Sequence, residues 1–343
     1  MKRGAFLKTL GLGTASLPFV KPATARPVQN QHPLVKPRRL KEGDTIALTA
    51  PAGIVYGDDE FDKMQEALES FGLNVRFGEF VRRRYGYFSG TDHQRALDLN
   101  RFFADSSVDA IMAVRGGWGG SRILPHLDFD LIARNPKIYC GFSDNTTLHL
   151  AFLKQCRMVS YHGPNGNSDW TGLTKESFRN VLMEGKKASF HSNSYVETIT
   201  PGTAEGPLIG GNLTILTTSL GTGYQPDVSG AVLFVEDVGE PVYKVDRMLT
   251  HLKSSGMLDQ INGFIFGRCT NCENGSGDNR FTMMEIFQHH IKPLGIPAIY
   301  GADIGHEEDN FTLPIGIPAR LDAGEGTFRL LESGVDLGDE ESE

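Results

Sequence analysis

Short apolar runs alternate with helical periodicity from residue 45 to about residue 155, and no other feature restricts the fold of this chain as strongly. Thr45-Ile46-Ala47-Leu48-Thr49-Ala50 reads as a buried strand that stops at the turn chemistry of Pro51-Ala52-Gly53. Residues 59–71 then place Phe61, Met64, Ala67, Leu68 and Phe71 at helical spacing, and Val75-Arg76-Phe77 is a short strand. A helix over residues 92–105, with Leu97, Leu99, Phe102 and Phe103 apolar, precedes a second buried strand, Val108–Val114, which runs into Arg115-Gly116-Gly117-Trp118-Gly119-Gly120. Lys137–Phe142 is a third strand, followed by a helix through residues 144–155. Strands and helices of these lengths in strict alternation predict an α/β fold: a mostly parallel sheet with helices on both faces.

After a helix near residues 175–184 the character changes. Residues 188–211 are rich in Ser, Thr, Pro and Gly, the composition of an inter-domain linker. Beyond it the strands Ala231–Val235 and Gly263–Gly267, with helices over 243–254 and 283–292, predict a second, smaller, mixed α/β domain. The expected division is an N-terminal domain over 43–187, a linker over 188–207, a C-terminal domain over 208–332 and a frayed acidic tail over 333–343, with an extended, proline-containing leader over 26–42.

Residues 1–25 follow the order of a secretory signal peptide: Lys2 and Arg3, an apolar and small-residue stretch over 9–20, then Ala23-Thr24-Ala25. Lys2-Arg3-Gly4-Ala5-Phe6-Leu7-Lys8 resembles a twin-arginine export signal in which Gly4 replaces the second arginine. Export to the periplasm or cell envelope is the expectation. An amphipathic N-terminal tail on a cytoplasmic protein is the alternative. A net charge of −8 disfavours a sequence-independent grip on nucleic acid, and no apolar run reaches the ~18 residues needed to span a bilayer. Four cysteines are too few for a disulfide scaffold. Cys269 and Cys272 have the spacing of a loop pair that oxidises after export, or are two unrelated thiols.

Chemistry concentrates at Cys140-Gly141-Phe142-Ser143-Asp144-Asn145. An apolar strand ends, a serine occupies the turn and a helix starts at once. Such an elbow lifts a hydroxyl off the sheet edge and aims the first free N–H groups of the helix at whatever is bound there. Asn145 stands where the G-x-S-x-G elbow has glycine, so the match is partial, and capping of the helix by Ser143 or Asp144 is the competing role. A serine nucleophile needs a base that is itself oriented by a third group. His306, in the glycine-flanked stretch Gly301–Glu307, and Glu236, at the end of the strand Ala231–Val235, are candidates. A loop histidine and a pairing of Glu236 or Glu240 with Arg247 are the alternatives. Metal chemistry at His289, His290 or His306-Glu307-Glu308-Asp309 fits no strong zinc spacing, and neither a metal nor another cofactor is expected.

Seven ordered motifs resemble the LD-carboxypeptidases, a serine peptidase family that includes muramoyltetrapeptide carboxypeptidase and the microcin C self-immunity peptidases. They are Thr49–Gly53, Arg115–Gly119, Gly141-Phe142-Ser143-Asp144, His162-Gly163-Pro164, Gly210-Gly211-Asn212-Leu213, Val235–Glu240 leading to Asp246–Leu249, and Gly305-His306-Glu307. The resemblance implies a flavodoxin-like N-terminal domain and a smaller C-terminal domain with the site at their junction. It also implies Ser143 as nucleophile, Glu236 as acid, His306 as base, and the backbone N–H groups of Asp144 and Gly117 as oxyanion donors. Arg115 and Trp118 are candidate pocket residues, although Trp118 in the core and Arg115 as a brace of the turn suit the sequence equally. The substrate implied is a peptidoglycan stem tetrapeptide, cut before its terminal D-alanine, and a homodimer is a further expectation. A rival within the family cleaves peptidyl-nucleotide antibiotics. It would be expected to carry an aromatic before Gly210-Gly211, and residues 199–209 contain none. A binding protein without activity is the remaining alternative, disfavoured by the complete Ser, Glu and His set.

Overall fold

The computed structural model describes residues 33–272 and 280–338, so the proposed signal segment lies outside the described residues. The chain builds β1 (Thr45–Thr49), α1 (Asp58–Glu69), β2 (Asn74–Phe77), α2 (Asp92–Ala104), β3 (Ala110–Ala113), α3 (Gly120–Ile123), α4 (Phe129–Arg134), β4 (Ile138–Gly141), α5 (Thr146–Ala151) and β5 (Tyr161–His162). It continues with α6 (Gly172–Phe178), β6 (Ser189–Phe190), β7 (Glu197–Thr200), β8 (Thr203–Asn212), α7 (Leu213–Thr218), β9 (Val232–Val238), α8 (Val242–Ser254) and β10 (Gly263–Thr270). Then follow α9 (Met283–His290), β11 (Ala298–Tyr300), β12 (Leu313–Pro314), β13 (Pro318–Asp322) and β14 (Thr327–Leu330).

The first sheet has the order β2-β1-β3-β4-β5 with every pair parallel, the flavodoxin-like arrangement, and β12 adds an antiparallel edge beside β5. Alternation along each strand divides its side chains between two cores. Ile46, Leu48, Ala110, Met112, Ile138 and Cys140 join the core that also takes Phe61, Met64 and Leu68 of α1. Ala47, Ile111, Ala113 and Tyr139 join the other, with Leu99 and Phe103 of α2 and Leu148 of α5. Helices therefore cover both faces, as the continuous apolar strands require. Thr91 starts α2 with a capping box closed by Gln94.

The second sheet is mixed, in the order β6-β14-β13-β8-β9-β10-β11-β7, with β8, β9, β10 and β11 parallel. Two readings from composition differ from what is seen. Residues 188–207 are not a free connection: they supply β6, β7 and the first half of β8, because Thr and Ile among the prolines and glycines suit a half-buried strand. Residues 333–338 do not fray. Val335 is buried, and Asp336 exchanges backbone bonds with Pro37 and Arg39 of the leader, at 2.8 and 3.0 Å.

Candidate active site

Both sheets bring strand ends to one place. In the first, the turns after β1, β3 and β4 meet at the carboxyl edge, beside the point where strand order reverses, which is the general location of ligand sites in open α/β sheets. The Gly53 N–H donates to the Gly116 carbonyl at 3.0 Å, tying the turn after β1 to the turn after β3.

Ser143 sits one residue beyond the extended Phe142 with φ +65°, a left-handed conformation shared by only Arg157 and Asn271 among described non-glycine residues. Such a conformation costs on the order of 1 kcal/mol or more and needs surrounding bonds to hold it. Asn145 and Asn165 supply them. The Asn145 Nδ2 donates to the Phe142 carbonyl and to Asn165 Oδ1, each at 3.0 Å. Tyr139 Oη donates to Asn145 Oδ1 at 2.7 Å, and the Phe142 N–H donates to Asn165 Oδ1 at 3.2 Å. The asparagine that breaks the familiar elbow motif is thus its buttress. Neither Asn145 nor Asn165 was singled out from sequence, although the departure at 145 was the available signal. Gly116 lies against the elbow: a Cβ there would be 2.6 Å from Ser143 Cβ and 2.9 Å from its Oγ.

His306 hangs from the loop after β11. Its Nε2 is 3.0 Å from Ser143 Oγ and its Nδ1 is 2.7 Å from Glu236 Oε2. With a carboxylate at Nδ1 the proton resides on that nitrogen, which leaves Nε2 to accept from the serine hydroxyl. The loop can come this close only because position 305 is glycine; it has φ +123°, and a Cβ there would meet Glu236 Oε2 at 2.6 Å. Glu236 is not at a strand end: β9 runs on to Val238, and the carboxylate is fully buried. Asn212, at the end of β8, donates to Glu236 Oε1 at 3.3 Å and to Asp237 Oδ1 at 3.1 Å. Glu240 pairs with Lys244, not with Arg247.

Electrostatics follow from burial and this pairing. Desolvation pulls the His306 pKa down, but the charge and hydrogen bond of Glu236, helped by Asp237 and Glu307, outweigh it, so the net direction is up. Burial and the neighbouring Glu236 raise Asp237. Burial pushes Asp144 up to about 6, against the Gly120 and Gly119 amides and Arg95. Its carboxylate does not cap its own helix; Oδ2 accepts from the Gly120 N–H at 2.7 Å.

A cavity of about 210 Å³ opens over Ser143, with Arg115, Gly117, Asn165, Asp169, Glu307 and Asn310 in its lining. Arg115 also braces its turn, donating to the Ile54 carbonyl at 3.1 Å. Trp118 lies neither in that lining nor in a core: half exposed, it packs on Tyr87 and Phe88. The candidate metal ligands are dispersed, with His290 on Asp246 and Asp309 on Thr171 and Asn193. No group of three or more His, Cys, Asp or Glu among the described residues could hold a metal ion. Cys269 and Cys272 form a disulfide. A hydroxyl, an imidazole and a buried carboxylate in line, beside the glycine turn, can deprotonate a nucleophile and return the proton to a leaving group.

Comparison with known proteins agrees in both halves. Residues 46–163 match the LD-carboxypeptidase N-terminal domain and residues 205–321 the LD-carboxypeptidase C-terminal domain. A probable murein peptide carboxypeptidase of Bacillus subtilis is 36% identical over 308 residues, covering 88% of this chain and 96% of that protein. MccF in complex with glutamyl sulfamoyl guanosine superposes with a TM-score of 0.81 at 25% identity, over 89% of this chain and 100% of that one. A muramoyltetrapeptide carboxypeptidase from Oxalobacter formigenes has a TM-score of 0.74 at 31% identity, over 83% and 97% of the two chains.

Proposed function

The chain belongs to the LD-carboxypeptidase family, and from that premise we propose that it removes the terminal D-alanine from the murein tetrapeptide through an acyl-enzyme on Ser143. The observation that carries this reading is the continuous hydrogen-bonded line from Ser143 through His306 to buried Glu236 beneath an open cavity. His306 Nε2 takes the hydroxyl proton as Ser143 Oγ attacks the carbonyl of the diamino acid. The C–N bond to D-alanine breaks and the imidazolium returns the proton to the departing amine. Water, deprotonated by the same nitrogen, then releases the shortened peptide. Glu236 holds the tautomer and stabilises the imidazolium. The amides of Gly117 and Asp144 are assigned to the developing oxyanion, a contribution of about 10²–10³ in rate per donor in comparable sites.

A cavity of about 210 Å³ with a polar lining suits the end of a peptide, and Arg115 at its edge is assigned to substrate binding. We place the enzyme in the cell envelope, on the order of charges, apolar residues and Ala23-Thr24-Ala25 in the N-terminal segment and on the Cys269–Cys272 disulfide, which persists in oxidising compartments. Among the described residues no helix is long and apolar enough to cross a membrane.

The aromatic criterion does not separate the rival substrate. Most of residues 199–209 lie in β7 and β8, and the segment ahead of them carries Tyr195, 81% exposed, with Ser192 and Asn193 bonded to Asp303. The test therefore runs both substrates side by side. Wild type and Ser143→Ala are incubated with disaccharide tetrapeptide and with a glutamyl sulfamoyl nucleoside, and products are read by mass spectrometry. Tripeptide from wild type alone supports the cell-wall reading, whereas turnover of only the nucleoside conjugate replaces it with the rival.

A further inference from the structure

The two proposed oxyanion donors come from different segments, the turn after β3 and the elbow after β4. Donors of this kind act only if held to within about 0.5 Å of the productive geometry. The turn is pinned near its start, where the Gly53 N–H meets the Gly116 carbonyl at 3.0 Å. Its far end is held by the residue next to the nucleophile. Asp144, 3% exposed, accepts from the Gly120 N–H at 2.7 Å. From the opposite side buried Arg95 donates to the Gly119 carbonyl at 3.2 Å and to the Pro51 carbonyl. Arg95 is fixed in turn by Asp92 at 2.6 Å, and Asp92 also takes two bonds from Arg122 at 3.0 and 2.9 Å. The peptide group that joins Gly119 to Gly120 is therefore clasped at its N–H by Asp144 and at its C=O by Arg95, two residues beyond Gly117.

We infer that Asp144 is a positioning residue for this reaction: its backbone contributes one oxyanion donor while its carboxylate holds the turn that carries the other. The inference rests on the assignment of Ser143 and of the Gly117 and Asp144 amides made above. A carboxylate this buried is costly unless a hydrogen bond compensates it, and the one it accepts comes from the turn. An apolar residue would fill the space without joining the two segments, which is why the clasp reads as more than packing.

The test uses the full chain with Asp144→Asn, which keeps the shape but replaces the charged acceptor of the Gly120 N–H by a weaker, neutral amide. Gly120→Ala is the second variant: its methyl would meet the same oxygen at 2.9 Å while Asp144 stays in place. Two ligands are compared. A tripeptide boronic acid forms a tetrahedral adduct on serine and needs the oxyanion donors; the product tripeptide does not. Both variants are expected to lose about 10- to 100-fold in kcat and in boronate affinity, with KM and tripeptide Kd within about threefold of wild type and a cooperative melt retained. Asp144→Asn kcat within about threefold of wild type overturns the inference, as does equal weakening of boronate and tripeptide, the mark of general damage. If Asp144→Asn does not fold, Gly120→Ala decides by the same criteria. Absence of wild-type turnover would instead count against the carboxypeptidase reading, and this inference would fall with it.

Discussion

Replacing Glu236 by Gln tests the electrostatic reading of the site most directly, because the structure dictates which way the new amide must point. Asn212 Nδ2 donates toward Oε1 at 3.3 Å, so the glutamine carbonyl belongs on that side and its NH₂ on the side of His306 Nδ1, now 2.7 Å from Oε2. An NH₂ there donates to Nδ1 and drives the proton onto Nε2, which then faces Ser143 Oγ and cannot accept from it. The corresponding substitution in a well-studied serine protease costs about 10⁴ in kcat, or about 5 kcal/mol of transition-state stabilisation. We expect a loss of about 10³- to 10⁴-fold here, by the same tautomer argument. The pH profile adds a signed readout. The active form of His306 is neutral, and its raised pKa sets the acid limb of kcat/KM above the ordinary histidine value of about 6.5. In Glu236→Gln the desolvation that lowers the pKa remains while its largest raising influence is gone, so the residual activity must show an acid limb at lower pH. Initial rates of tripeptide release between pH 5 and pH 9, each pH about 0.5 units apart, provide the measurement. A loss below about tenfold, or an acid limb that stays or moves up, would refute the assignment of Glu236 as the group that orients and charges His306.

Three further outcomes are expected. Ser143→Ala should abolish turnover by at least about 10³-fold with product affinity intact, whereas Ser143→Gly, equally inactive, should melt higher by an increment worth about 1 kcal/mol because it relieves the φ of +65°; equal melting of the two variants would deny that strain. Gly305→Ala should cost activity far more than an exposed loop change, since its Cβ would lie 2.6 Å from Glu236 Oε2 at φ +123°, and near-wild-type kcat would show that the His306 loop has slack. His149 is fully buried, 2.7 Å from the Gly141 carbonyl and 2.9 Å from Ser160 Oγ, and burial lowers its pKa to about 4. The unfolded chain then binds that proton first, so stability is whole above about pH 6.5 and about 3 kcal/mol is lost as pH falls from there toward 4. Buried His162 acts in the same direction, and urea midpoints of wild type and His149→Gln across this range should diverge less and less as pH falls.

Much of the first sheet was open to reading because burial on both faces leaves long apolar runs, and Ile46–Leu48, Ala110–Ala113 and Ile138–Cys140 have little else they can be. The second sheet was less open. Glu236 and Asp237 interrupt an apolar strand with two charges, so periodicity ends β9 at Val235, whereas hydrogen bonds from Asn212 and Thr214 allow both carboxylates to stay in the strand, buried. Residues 188–207 have loop composition, yet neighbours far along the chain, Pro318–Asp322 and Thr327–Leu330, recruit them into the sheet. Tertiary partners decide such segments, and local pattern does not contain them.

The site itself divides along the same line. Ser143, Glu236 and His306 were reached through resemblance, since their separations along the chain carry no geometric information. What holds them was signalled only by the departure from the elbow motif at Asn145. Asn145 looks like a defect in the elbow until Tyr139, Phe142 and Asn165 are seen around it. Gly116 and Gly305 look like generic flexibility until a Cβ at each is found to collide with the nucleophile or with the acid. In both cases the residue is required by what approaches it and not by its own propensity. The residues that fix the line from Ser143 to Glu236 are therefore those at which local sequence rules are broken or uninformative, as expected where a fold maintains strain for chemistry. Substitutions at Asn145, Gly116 and Gly305 should accordingly impair turnover more than their effect on melting would suggest, and a strict proportionality between lost activity and lost stability across the three would break this argument.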